Sequence, residues 1–187
     1  AIMGRPPEDR DTVNEPFAPH PYVVVAPAGH PLAGRARIPL AALVRERFVI
    51  RERGSDTAIA MAQGFGRLLA RLDIGMESKS NETIKQAVIA GMGIGFLSAH
   101  TLTLERQVGS AVILDVQGFP LMLHWHVVHR RDKRLPPVAS EFMRFLLAEG
   151  AALIEQITRF SAQRGTRSGP PAAAPPGRTR GATRARS

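Results

Sequence analysis

Two rhythms of apolar residues alternate along the chain. Tyr22 to Ala26 (YVVVA), Phe48-Val49-Ile50 and Ile94-Gly95-Phe96-Leu97 are short continuous apolar runs, the signature of strands buried on both faces. Val112-Ile113-Leu114 predicts another strand, and Leu121 to His129 a longer one. Between them the spacing turns helical. Met61, Phe65, Leu68, Leu69 and Leu72 fall at i, i+4, i+7, i+8 and i+11, and Ile84, Ala87 and Val88 share one face of a second helix. Pro136-Pro137 opens a third helix, expected to bury Val138, Phe142, Phe145 and Leu146 and to continue past a weak point at Gly150. Leu40 to Leu43 and Thr101 to Val108 read as short helices, Ile2-Met3-Gly4 as the end of a strand, Phe17 to Pro21 as rigid extended chain, and Glu8 to Glu15 as a charged loop. Asp73 to Lys79 reads as a connection. Strands alternating with helices argue an α/β fold.

The segment Ser80 to Thr101 organises the rest. Ser80 and Asn81 are residues of the kind that cap a first helical turn. Gly91 and Gly93 end that helix, and a strand follows. A helix that opens Ser-Asn-Glu-Thr aims a partial positive charge and several polar side chains at one spot, a place to hold a small polar ligand.

Charge changes the picture only after it is divided. The net charge is +9, but residues 161–187 hold six arginines and no acid, which leaves +3 for residues 1–160. The basic part is the tail, and a basic globular surface for nucleic acid is not indicated. Fourteen of those 27 residues are Gly, Ala or Pro, with no aromatic to stack on a base, so a solvated, disordered extension is expected rather than a phosphate-binding arm. With no cysteine, disulfides, thiolate metal sites and a cysteine nucleophile are excluded. The first residues lack the basic and apolar regions of a signal peptide, and no apolar run reaches the roughly 18 to 20 residues that span a bilayer. The missing initiator methionine points to a fragment, and cytoplasmic residence is expected.

Three clusters invite chemistry. Gly91-x-Gly93-x-Gly95 follows a helix and precedes a strand, the reverse of a dinucleotide loop, so it reads as a helix stop. His124-x-His126-x-x-His129 has no neighbouring cysteine or carboxylate and reads as the polar face of a strand, with Trp125 and Val127 turned to the core, rather than as a metal site. Arg51-Glu52-Arg53-Gly54-Ser55-Asp56-Thr57 brings cations and hydroxyls to a strand-to-helix junction. Two readings of it stand: an anion site at a helix start, or a cap flanked by solvated arginines. No nucleophile, base or paired carboxylates stand out, so no enzyme and no cofactor are expected.

AIMGRPP at 1–7, APAGHPLA at 26–33, FVIRERGSDT at 48–57, SNETIKQAVIAGMGIGFLSAHT at 80–101 and HWHVVHRRDKRLPP at 124–137 resemble the effector domain of LysR-type transcriptional regulators. The Ser-Asn-Glu-Thr-Ile-Lys run narrows this to the branch that controls carbon-fixation (Calvin cycle) operons. The resemblance covers roughly residues 1–150. It implies a two-lobed fold like the type II periplasmic binding proteins, with the first lobe incomplete. Residues 1–18 and 130–160 would belong to the first lobe, 19–129 to the second, and 161–187 to the tail. It implies a cleft holding a small anionic metabolite such as a sugar bisphosphate, phosphoenolpyruvate, ATP or NADPH. It also implies homo-dimers or tetramers, promoter DNA met only through an N-terminal domain outside this chain, and no membrane. The effector residues carried over are Arg5, Arg51, Glu52, Ser55, Thr57, Ser80, Asn81, Glu82 and Thr83, with Ser98 and His100. Arg5 and Arg51 would neutralise the anion; Ser55, Thr57, Ser80 and Asn81 would supply hydrogen bonds. The chain departs from the family at Arg53, Asp56 and Ala58, where proline, glycine and arginine are expected, which weakens phosphate binding at that junction. A transport solute-binding protein of the same fold is the alternative reading.

Overall fold

The computed structural model describes residues 1–7 and 11–164, with side chains through residue 158. Its frame is one mixed sheet. The strands are β1 (Ile2–Met3), β2 (Thr12–Pro27), β3 (Arg47–Arg51), β4 (Asp73–Ser78), β5 (Ile94–Ser98), β6 (Ala111–Ile113) and β7 (Leu121–Arg130), and the helices are α1 (Asp56–Phe65), α2 (Asn81–Ile89), α3 (Thr103–Gln107) and α4 (Pro137–Arg164). Their order across the sheet is β1-β7-β2-β5-β3-β4, with β6 also paired to β2. β3 runs parallel to both β4 and β5, and β2 is antiparallel to β5, β6 and β7.

The apolar runs take the central positions because both their faces are covered. Tyr22, Val24, Phe48 and Phe96 meet Met61 and Phe65 of α1 in one cluster. Val23, Val25, Val49 and Leu97 meet Ile84 and Val88 of α2 in the other. An unbroken Val run serves both layers, as expected for strands sandwiched between helices. Lys85 ties α2 to α3 through the buried Glu105 at 2.8 Å, with Glu82 also within 2.7 Å.

Several boundaries differ from the sequence expectation. Within the predicted loop Glu8 to Glu15, Thr12–Glu15 belong to β2, paired with Val127–Arg130 of β7; backbone pairing with β7 overrides the polar composition. Asp73 to Lys79, expected as a connection, contains β4. Its Asp, Gly and Glu hide the strand signal because an edge strand is held by its ladder more than by burial. The helix predicted over Met61–Leu72 ends at Phe65, where Gly66 takes a φ of +52°, and a 3-10 turn follows over Gly66–Arg71. Thr101 to Val108 divides into a 3-10 turn over Ala99–Leu102 and α3. α2 ends in a Schellman arrangement: Met92 N–H donates to Ala87 O, Gly91 N–H donates to Val88 O, and Gly91 is left-handed. Gly93 serves a different need, since a Cβ there would lie 2.5 Å from the Arg47 carbonyl oxygen.

α4 is the largest correction. It runs to Arg164, four residues into the expected tail; the rest of that tail lies outside the described residues. Val138, Phe142 and Phe145, expected in the core, are 82%, 54% and 47% exposed. Periodicity shows that a helix has an apolar face and is silent on what covers it. Gly150 is no weak point: it is buried against Phe17 of β2, and a Cβ there would meet that ring at 2.7 Å.

Candidate functional site

Parallel strands followed by helices gather their polar ends on one edge of a sheet, the edge where ligands of open α/β folds bind. Here the C-terminal ends of β3, β4 and β5 bring together Arg51, Ser78 and Ser98, beside the first turns of α1 and α2. Each helix is capped by a serine. Ser55 Oγ accepts from Ala58 N–H at 3.1 Å and donates to the Glu52 carbonyl at 2.8 Å. Ser80 Oγ accepts from Thr83 N–H at 3.3 Å. Both hydroxyls are therefore engaged in holding helix starts, whose partial positive charge faces the edge.

Arg51 joins the two helix starts. Its Nε and one terminal nitrogen donate to the Glu52 carboxylate at 2.7 and 3.0 Å, and the other terminal nitrogen donates to Asn81 Oδ1 at 2.6 Å. A guanidinium has five N–H donors, so two remain without a partner among the described residues. The Arg51 pair also holds the Glu52 carboxyl below the usual carboxylate range. An incoming anion would thus compete with Glu52 for Arg51.

Tyr22, which sequence reasoning left in a core strand, sits beneath this junction. It lies beside Thr57 of α1, itself buried. Burial pushes the phenol above its ordinary value and the charge of Asp56 adds to this, while the Thr57 hydroxyl and Arg51 oppose it. The phenol therefore stays protonated, able to donate or to accept.

A second group lies two residues back along β2. The His20 ring stacks on Trp125 of β7, with centroids 3.8 Å apart, and lies nearly parallel to His100 at 5.8 Å. Trp125 Nε1 donates to His100 Nδ1 at 3.3 Å, which assigns the His100 proton to Nε2 and makes that edge a donor. Burial, with His100 adding to it, lowers the His20 pKa to about 4. Burial lowers His100 as well. Both rings are neutral at pH 7. Gly4 closes over His20: a Cβ there would stand 3.0 Å from Nδ1 and 3.8 Å from Tyr22 Oη.

Of the residues carried over from the resemblance, Arg51, Glu52 and Asn81 are in direct contact, and Ser55, Thr57, Ser80 and Thr83 occupy the two helix starts. Arg5 follows Gly4, which lies against His20 and Tyr22. Ser98 is buried and its Oγ accepts from His100 N–H at 3.3 Å. Glu82 turns along α2 instead, toward Lys85 and Gln86. Tyr22, His20 and Trp125 were missed, although a phenol opening a Val run and a proline-flanked histidine before it were the available signals. Among the described residues no group of three His, Asp or Glu is placed to hold a metal, and His124 and His126 sit on the β7 face opposite Trp125. No described helix is long and apolar enough to cross a membrane.

A polar strand edge, two capped helix starts and a tethered arginine stand together on one α/β sheet, and residues 1–151 match the LysR substrate binding domain family. The chain belongs to that family, with its type II periplasmic-binding-protein-like fold. It is 44% identical over 160 residues to the HTH-type transcriptional regulator CbbR of Rhizobium meliloti, covering 85% of this chain and 51% of that protein. It is 44% identical over 152 residues to the RuBisCO operon transcriptional regulator of Allochromatium vinosum, covering 81% and 50%. The chain thus spans about half the length of these relatives. Among solved structures it is similar to the CcmR regulatory domain of Synechocystis PCC6803 in complex with 2-PG. The TM-score there is 0.74 at 41% identity, covering 79% of this chain and 71% of that one.

Proposed function

We propose that this chain is the effector-sensing part of a LysR-type regulator of carbon-fixation genes, and that it binds a small anionic metabolite at the strand edge around Arg51. The observation that carries this is Arg51 itself, held by Glu52 and Asn81 between the first turns of α1 and α2 with donors to spare. Anion oxygens there meet a guanidinium, two helix starts and the Tyr22 phenol. Supporting the metabolite class, the CcmR domain, at 41% identity, was solved with 2-PG. The regulators CbbR and that of the RuBisCO operon support the gene class.

Signalling needs an arrangement that the ligand prefers. The proposed lobes, 1–18 with 130–160 and 19–129, meet along the β2–β7 ribbon, which pairs from Thr12 with Arg130 to Tyr22 with Leu121. Its register shifts between Pro16 and Ala18, at that boundary. A bulge there is a natural bending point. An effector that binds one bend better than the other shifts the population toward it, and with it the DNA-binding part of the full regulator, which works as a homo-oligomer.

Calorimetric titration with ribulose 1,5-bisphosphate, phosphoenolpyruvate, ATP, NADPH and 2-PG tests the reading. At least one binds saturably, and Arg51→Ala weakens that ligand tenfold or more. A folded chain indifferent to all five overturns the metabolite assignment.

A further inference from the structure

On the α1 face beside that edge, one part of the sheet is left uncovered. α1 packs over β3 and stops short of β4, the last strand of the sheet. Register places Ile74 beside Phe48 and Glu77 beside Ile50, so these residues share the α1 face of the sheet. An extra residue on β4, between Ile74 and Met76, shifts the ladder there, and Ile74 is left 41% exposed. The result is a groove of about 690 Å³ between α1, the Gly66–Arg71 turn and the β3–β4 edge. That volume lies within the range of small-molecule sites.

Its chemistry is that of an amphipathic anion site. Ile50, Ile59, Leu69 and Ile74 supply apolar walls, with Arg51 and Arg53 lining the end before α1 and Arg67 the end after it. Arg53 and Arg67 are exposed, and neither guanidinium has a carboxylate partner among the described residues. The ends are not equivalent. At the Arg53 end Arg51 is paired with Glu52, and the Glu77 carboxylate accepts from Arg53 N–H at 3.3 Å, so two carboxylates offset two cations. No acidic residue lines the Arg67 end. A negative head is therefore favoured beside Arg67, with its apolar body running back along α1 toward Gly54. α1 has ten residues, about 15 Å of helix, the length of an extended medium-chain acyl group.

We propose that this groove is a second binding site, taking a medium-chain fatty acid with its carboxylate on Arg67 and its chain against Ile50, Ile59 and Ile74. The far end of that chain reaches Arg51 itself, which lines the groove. Occupancy of the groove and of the strand edge are therefore coupled, and reciprocally so. The coupling rests on the anion-site reading above; the binding itself does not.

Decanoate, titrated below its micellar concentration and followed by calorimetry and amide chemical shifts, is the test. One equivalent binds saturably. Ala62→Trp, which fills the groove, and Arg67→Glu, which reverses the charge, each weaken it at least tenfold. A Phe142→Ser, Phe145→Ser double variant on the exposed face of α4 leaves it unchanged. Absence of saturable binding overturns the site, as does loss of binding in the α4 variant with the groove variants unaffected. Sedimentation in which Ile74→Lys converts a dimer to a monomer that decanoate does not perturb also overturns it, because the groove then houses a second copy of the chain.

Discussion

Arg51 is useful because it is restrained. A free surface arginine loses side-chain entropy when it binds an anion, whereas this one is already fixed by three hydrogen bonds. Removing Asn81 should therefore cost affinity without removing charge. Asn81→Ala is expected to weaken the effector severalfold in calorimetry and Arg51→Ala tenfold or more, with thermal stability of both near that of the parent. His20 makes a separate prediction. In the unfolded chain its imidazole takes up a proton near pH 6.5; in the folded chain it does so only near pH 4. Between those values the unfolded state binds more protons, so stability is complete above pH 6.5 and falls as the pH drops toward 4. At about 1.4 kcal/mol per pKa unit the loss is on the order of 3 kcal/mol. Urea unfolding from pH 7.5 to 4.5 should show this slope, and His20→Phe should flatten it. An equal slope in the variant would place the acid sensitivity elsewhere.

At the scale of elements, the two helix caps and the glycine contacts are where sequence and structure can be compared most closely. Ser80 was legible as a cap because the signal is local: a small hydroxyl residue directly ahead of a helical apolar stripe. Ser80→Ala should cost about 1 kcal/mol in urea unfolding. The central strands were legible for the same reason, since a run such as YVVVA fits little else. β4 was not, because its partner β3 is 26 residues earlier in the Arg47–Asp73 pairing and its own residues are polar. Tyr22, His20 and Trp125 escaped notice because their meeting depends on which strands pair. Gly150 misled in the opposite direction. Its helix propensity favours Ala by about 1 kcal/mol, yet a Cβ 2.7 Å from the Phe17 ring forces that ring to move. Gly150→Ala should lower Tm; a rise would mean that α4 does not rest on β2 at that point. The α4 phenylalanines separate exposure from periodicity. Phe142→Ala should cost under about 1 kcal/mol, against about 3 to 5 for the buried Phe96.

For the whole molecule, the long pair of strands matters most. β2 and β7 carry one sheet past the register shift at Pro16–Ala18, and the site residues lie along the same ribbon: His20 and Tyr22 on β2, Trp125 on β7. A ligand gripped at Arg51 and Tyr22 is thereby placed a few residues from the proposed bending point, which gives a short mechanical path from binding to a change of angle. The family resemblance supplied this picture from motifs spread over residues 1–137, and the match over residues 1–151 bears out the family and fold. The site residues stand as a proposal. Their most direct test is a crystal structure of the chain with whichever metabolite binds most tightly. Anion oxygens are expected within hydrogen-bonding distance of the Arg51 guanidinium and the first-turn N–H groups of α1 or α2, with the Tyr22 hydroxyl in contact. An anion bound elsewhere, with Arg51 still fully held by Glu52 and Asn81 and the strand edge empty, would contradict it.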